Sequence, residues 1–152
     1  MPVEVSAFSA TLAHPIEAED TIVASLRFRH GALGVIEAAT SAWPGVDLRI
    51  EVNGDRGAAT LVNDRLVRWE FAGPQPEDAA VLAPAAGPEI KSGASSAGAM
   101  SGEGHRLLIA DLTAALRERR APMIPGAEAR NAVALVMAIY ESARTGKPAR
   151  VG

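Results

Sequence analysis

Apolar and polar residues alternate along Asp20–Arg29. Ile22, Ala24, Leu26 and Phe28 fall on one face and Thr21, Ser25, Arg27 and Arg29 on the other, with Val23 the exception. A period of two is the signature of a strand with one buried face. His30-Gly31 turns the chain, and Ala32–Thr40 runs back as a second strand. The same period recurs on either side. Val3–Ala13 sets Val3, Val5, Ala7, Ser9 and Thr11 opposite Phe8, Ala10 and Leu12, and Asp47–Asn53 sets Leu48, Ile50 and Val52 opposite Arg49, Glu51 and Asn53. Ala58–Val62 and Arg65–Phe71 complete six strands. The connections carry turn chemistry: Pro15, Trp43-Pro44-Gly45, Gly54-Asp55-Arg56-Gly57, and Asn63-Asp64, a pair that tolerates the positive φ of a type I′ turn. The pattern predicts one continuous antiparallel meander from Val3 to Phe71.

Beyond Phe71 the period changes. Residues 73–101 hold Pro74, Pro76, Pro84 and Pro88 and then a Ser/Gly/Ala run, which predicts a flexible insert, either a binding lid or an exposed loop. Within it only Ala79–Ala83 and Glu89–Lys91 suit short strands. Glu103–Arg120 then reads as a helix with Leu108, Ile109, Leu112, Ala115 and Leu116 on one stripe, stopped by Pro122. A second helix, Ala127–Thr145, carries a stripe of Ala129, Ala132, Val133, Val136, Met137, Ile139, Tyr140 and Ala143 and ends at Gly146 and Pro148. Ala149–Gly152 suits an added edge strand. The expected class is α+β: a largely antiparallel open sheet of about six strands, with two C-terminal helices packed on one face. The other face, rich in Ala, Ser and Thr, is expected to be a subunit interface. The expected organisation is a single domain, 1–152, made of a meander (1–72), an insert (73–101) and a helical layer with its tail (102–152).

Composition narrows the function. The 152 residues carry 15 basic and 18 acidic side chains, a net charge of −3, which does not suit a nucleic-acid partner. All but Lys91 and Lys147 of the basic residues are Arg, a bias that suggests a GC-rich bacterial genome. With no cysteine, disulfides and thiolate chemistry are excluded. No apolar run is long enough to span a membrane, and Met-Pro-Val-Glu-Val lacks the features of a signal peptide, so a soluble cytoplasmic protein is expected.

Two residues stand out as candidate ligand contacts. His105 follows Gly102-Glu-Gly104 at the start of the first helix, where an imidazole can reach a bound molecule. Trp43, before Pro44-Gly45 at a strand end, can wall a pocket. Glu103 and Asp111 lie near His105 without metal-ligand spacing. His14 and His30 fall in turns and are expected to be solvated, and Arg27, Arg29 and Arg49 share a sheet side only if the register allows it. No dinucleotide fingerprint, P-loop or Gly-x-Ser-x-Gly elbow is present, and Gly31-Ala-Leu-Gly34 lies inside a hairpin. The residues alone make no self-contained catalytic or metal site.

The order of motifs resembles the glucose–fructose oxidoreductase/inositol dehydrogenase (Gfo/Idh/MocA) family. Glu19-Asp20-Thr21, Leu26-Arg-Phe28 and His30-Gly-Ala-Leu-Gly34 look like its "EDT…LxF…NGAxG" hairpin. Pro44-Gly45 with Arg49-Ile-Glu-Val-Asn-Gly54 and Gly57 is similar to its "PG…RIEIxGxxG" segment. Gly104-His105 with Asp111 resembles its "GHxxxxxDF" helix start, with Leu112 in place of Phe, and Pro125-Gly126 and Ala138-Ile-Tyr-Glu-Ser-Ala-Arg144 resemble its closing helix. The resemblance implies the C-terminal substrate-binding and oligomerisation domain of an NAD(P)-dependent oxidoreductase acting on a sugar, cyclitol or related polyol. It further implies that NAD or NADP is bound by an N-terminal Rossmann domain absent from these residues, that the domain alone is inactive and binds no cofactor, and that its sheet face makes a homo-oligomer. It places His105 near the substrate. A free-standing ligand-binding module, with a cavity between sheet and second helix, and a purely structural dimerisation domain are the alternatives.

Overall fold

The computed structural model describes residues 1–43, 45, 47–63, 65–82 and 102–152. Its strands are β1 (Pro2–Ala10), β2 (Thr21–Phe28), β3 (Leu33–Ala39), β4 (Arg49–Gly54), β5 (Gly57–Val62), β6 (Arg65–Phe71) and β7 (Ala149–Arg150). Its helices are α1 (Asp78–Val81), α2 (Glu103–Glu118) and α3 (Gly126–Thr145). The class is α+β with antiparallel strands, as the alternation requires. The strands pair in two sheets, β3-β2-β1-β7 and β4-β5-β6, so the expected meander is divided after β3. The chain forms two compact units, Met1–Ala42 with Leu108–Gly152, and Trp43–Leu107.

In the first unit, Val5 pairs with Leu26 and Ala7 with Ala24, and all four are buried. These are the inward residues of the predicted alternation. The two alanines keep the middle of this face low, and α3 lies on β1 with Ala138 and Ile139 in the same core. Leu135, Ala143, Ala149 and Val151 pack around them. The tail forms the predicted edge strand, with Val5 opposite Ala149.

The helix stripe differs from the expected one. Leu135, Ala138, Ile139, Ser142 and Ala143 face the sheet, whereas Val133, Val136, Met137 and Tyr140 are exposed. Both sets repeat at helical spacing, so periodicity alone does not choose between them. The choice rests on fit: Ala138 and Ser142 are small enough for close approach to a sheet, and Ser142 is tied to it. Its Oγ accepts a hydrogen bond from the Ala7 N–H at 3.0 Å and donates to the Lys147 carbonyl at 2.8 Å. One hydroxyl thus satisfies a β1 amide beyond the end of β7 and fixes the turn that leads into β7.

Only one residue of α2, Ala115, is buried; Leu108, Ile109, Leu112 and Leu116 are exposed. The helix ends on Arg119 at φ +55°, with the Arg120 N–H returning to the Ala115 carbonyl at 3.0 Å. This is a left-handed C-terminal cap without the usual glycine. Asp111 closes the connection to α3 by accepting from Arg120 Nη2 at 2.8 Å and from the Met123 N–H at 2.6 Å.

The second unit is a three-stranded sheet. Ile50, Val52, Ala59, Leu61 and Trp69 share one face, while Arg49, Glu51, Asn53, Ala58, Thr60, Arg68 and Glu70 share the other. Every residue of β4 is exposed, and the buried positions are Ala58 and Thr60 on the charged face. The Arg49–Glu51 and Arg68–Glu70 ion pairs, at 2.7 and 2.8 Å, flank those two small residues, which the arginine stems can cover. Gly57 is required by the Phe71 ring, because a Cβ there would lie 2.3 Å from a ring carbon. Asn63 takes φ +48°, as its turn demands, and its side chain accepts from the Leu48 N–H and donates to Asp47. Residues 78–81, inside the segment expected to hold a short strand at Ala79–Ala83, form α1 instead. Asp78 ties this turn to β6 and to the preceding loop by accepting from Trp69 Nε1 and from the Gln75 N–H, both at 2.8 Å. The predicted strand Glu89–Lys91 lies outside the described residues, as does most of the expected flexible insert.

Candidate functional site

The two sequence-predicted contacts both belong to the second unit. Trp43 is 93% exposed. His105 sits in the first turn of α2 and is exposed. The Arg106 N–H bonds to the Gly102 carbonyl, and the Glu103–Arg106 ion pair at 2.5 Å braces the same turn. That pair holds the Glu103 carboxyl below its ordinary range, chiefly through the hydrogen bond from Arg106. A fixed turn with a solvent-facing imidazole can donate to or accept from a hydroxyl of a bound molecule. Asp111, the other acidic residue of that motif, is occupied by Arg120 and Met123 and is structural.

The densest polar cluster was not predicted. Asp20 is 2% exposed, at the start of β2. Its carboxylate accepts from the N–H groups of Leu12 at 2.8 Å, Ala13 at 2.8 Å and His14 at 3.0 Å, from His14 Nδ1 at 3.2 Å, and from the Thr21 hydroxyl at 3.1 Å. The Leu12 and Ala13 amides are the leading reasons its pKa falls far below the usual carboxylate range. His14 is exposed, as expected, and is also a partner of Asp20. The neighbours of Asp20 are tied down too. Glu19 accepts from the Tyr140 hydroxyl at 2.5 Å, which lowers the carboxyl and raises the phenol. The Thr21 hydroxyl also meets Ser41 Oγ at 2.8 Å. Glu19-Asp20-Thr21 is thus a three-way staple of loop, sheet and α3. The sequence signal was present as a family-like tripeptide, but it named no role.

Arg27 and Arg49 belong to different sheets and do not share a face. Arg27 pairs across strands with Glu4 at 3.6 Å. Among the described residues no group of three His, Asp or Glu side chains is placed to hold a metal ion, and no helix is long and apolar enough to cross a membrane. Gly31 takes φ +88° in the β2–β3 hairpin, and no described strand runs into a glycine-rich turn that opens a helix.

Comparison with known proteins gives a family likeness. Residues 1–60 match the model of the GFO/IDH/MocA C-terminal domain. Over 66 residues, 41% of its length, the chain is 42% identical to the uncharacterized oxidoreductase YrbE of Bacillus subtilis, and that match spans 19% of YrbE. Its fold is similar to the WlbA dehydrogenase of Bordetella pertussis, solved with NADH and UDP-GlcNAcA, at a TM-score of 0.76 and 32% identity over 99% of this chain and 40% of that one. The WlbA dehydrogenase of Chromobacterium violaceum, solved with the same two molecules, gives a TM-score of 0.79 and 26% identity, again over 99% of this chain and 40% of the other. The chain thus spans less than half the length of those relatives.

Proposed function

We propose that this chain is the substrate-binding and oligomerisation domain of an NAD(P)-dependent oxidoreductase that acts on a sugar, cyclitol or related polyol in the cytoplasm. The observation that carries this reading is the likeness, over 99% of the chain, to a WlbA dehydrogenase solved with NADH and a nucleotide sugar. Hydride transfer needs the substrate carbon held against a nicotinamide. In this reading a separate Rossmann domain binds NAD or NADP, and the sheet domain supplies one wall of the substrate site. His105 and Trp43 contribute a hydrogen-bonding group and an aromatic plane to that wall. Homo-oligomerisation uses the open face of the β3-β2-β1-β7 sheet. Its support is the exposure of Phe8 at 80%, Leu33 at 77% and Val35 at 72%, more apolar surface than an isolated solvated face carries. The ligand-module alternative is less well supported, because Ala138 and Ile139 pack directly on Val5, Ala7, Ala24 and Leu26 where its cavity would lie.

The test is a panel of polyols and nucleotide sugars assayed with the complete gene product and NAD or NADP, read as NAD(P)H absorbance. Turnover is expected there and neither turnover nor NAD(P)H binding in the 152 residues alone. Tight NAD(P)H binding by the 152 residues would refute the division of labour. His105→Ala is expected to raise KM while the fold is retained, and an unchanged KM removes His105 from the site.

A further inference from the structure

The Arg49–Glu51 pair on β4 holds a third residue. Glu51 Oε2 accepts from Arg49 Nε at 3.0 Å and from Nη2 at 2.7 Å, and Glu51 Oε1 accepts from Asn53 Nδ2 at 3.0 Å. Asn53 is exposed and stands next to Gly54, where β4 enters the Asp55-Arg56 turn. Of the three asparagines, Asn53, Asn63 and Asn131, only Asn53 precedes a glycine. The backbone nitrogen after an asparagine can attack the side-chain carbonyl carbon, and glycine, with no Cβ, hinders that attack least. We propose that Asn53-Gly54 is a site of spontaneous deamidation and that Glu51 restrains it.

The Gly54 nitrogen bonds to Asn53 Cγ, the Cγ–Nδ2 bond breaks, and ammonia leaves with the proton given up by the Gly54 N–H. A water then opens the cyclic imide at one carbonyl or the other, giving aspartate or isoaspartate. The change is redox-neutral and needs only water. Two features slow the first step. β4 pairs with β5 as far as Gly54 opposite Gly57, so ring closure must first leave the extended strand. The bond to Glu51, two residues back on the same face, also draws the Asn53 carboxamide away from the Gly54 nitrogen. Glu51 is held below its ordinary carboxyl range, first by Asn53 and then by Arg49, so at neutral pH it has no proton to give the departing nitrogen. The other asparagines lack the glycine and are committed elsewhere, Asn63 to Asp47 and Leu48 and Asn131 to Glu128 within α3. Either product places a second carboxylate beside Glu51. Isoaspartate also lengthens the backbone by a methylene, which puts Asn53–Ala58 and Gly54–Gly57 out of register.

The complete gene product is incubated near neutral pH, native and in urea, and conversion is followed by peptide mass mapping and isoaspartyl methyltransferase labelling. Conversion at Asn53 is expected to outpace that at Asn63 and Asn131 and to run several-fold slower in the native protein than in urea. Glu51→Val keeps a strand-favouring side chain and removes the acceptor, so native conversion should rise several-fold. Arg49→Ala leaves Glu51 Oε1 to Asn53 and should stay near the parent rate. Gly54→Ala should slow conversion in both states. It keeps the fold, because the new methyl meets only the Gly57 carbonyl at 3.6 Å and Gly54 has no left-handed φ. Native conversion at Asn53 no faster than at Asn63 and Asn131, or unchanged in Gly54→Ala, overturns the site. Equal native rates in Glu51→Val and the parent overturn the restraint. Equal acceleration in Arg49→Ala and Glu51→Val overturns it too, because it reports a loosened hairpin rather than a released amide.

Discussion

The two sheets obey the same alternation and end in opposite states. In β3-β2-β1-β7 the inward residues Val5, Ala7, Ala24 and Leu26 are buried, because α3 lies on them. In β4-β5-β6 the apolar face keeps Ile50 at 54% and Val52 at 65% exposed, and burial falls instead on Ala58 and Thr60 among the charges. Alternation assigns a residue to a side of its strand. It does not supply the layer that covers that side. One sheet is stabilised mainly by apolar contact with a helix, and the other by backbone pairing, side-chain staples and ion pairs worth little individually.

That contrast predicts unequal responses to mutation. Ile139→Ala, under the covered sheet, should cost about 2–4 kcal/mol in urea unfolding, whereas Val52→Ala on the exposed face should stay within about 0.5 kcal/mol. Equal losses would mean that the second sheet has a core of its own. Gly57→Ala tests the second sheet where it is tight. The new methyl meets the Phe71 ring and the Glu70 carbonyl, so a cost of about 1–3 kcal/mol is expected, relieved only in part when Phe71 is also replaced by Ala, because the Glu70 carbonyl stays. Ser142→Ala removes the acceptor of the Ala7 amide and should cost about 1–2 kcal/mol, with faster hydrogen exchange at Ala7.

Asp20 gives the comparison a pH axis. Its native pKa is depressed, so the folded state binds fewer protons than the unfolded one between the two values. Stability is therefore full above the unfolded pKa near 3.9 and declines as pH falls from there toward the native value. Asp20→Asn should lower Tm by a few degrees at pH 7, and the gap from the parent protein should narrow as pH falls below about 4. A gap that stays constant with pH would show that the Asp20 carboxylate is not the titrating staple. One expected effect is a gain. Arg119→Gly relieves a left-handed backbone and should add about 0.5–1 kcal/mol.

Local chemistry was legible where it depends on neighbours in sequence. The strands, the Asn63 turn, the Gly146 helix stop and the tail strand all follow from period, φ preference or missing amide. Asp20 was illegible, because a carboxylate becomes a staple only when the loop from Leu12 to His14 folds back on it. His105 and Trp43 were singled out by residue type, and the structure places both in one unit as exposed groups.

The sequence by itself determined which residues of each strand share a side, where the chain turns, and that the motifs resemble those of a GFO/IDH/MocA domain. Only the tertiary structure decided that the strands form two sheets, which of two equally periodic stripes of α3 is buried, and that Ser142 and the Glu19-Asp20-Thr21 staple lock the helix and loop to β1 and β2. The physical reason is that periodicity is local, whereas burial and hydrogen-bond satisfaction depend on which distant surface arrives to cover a given face.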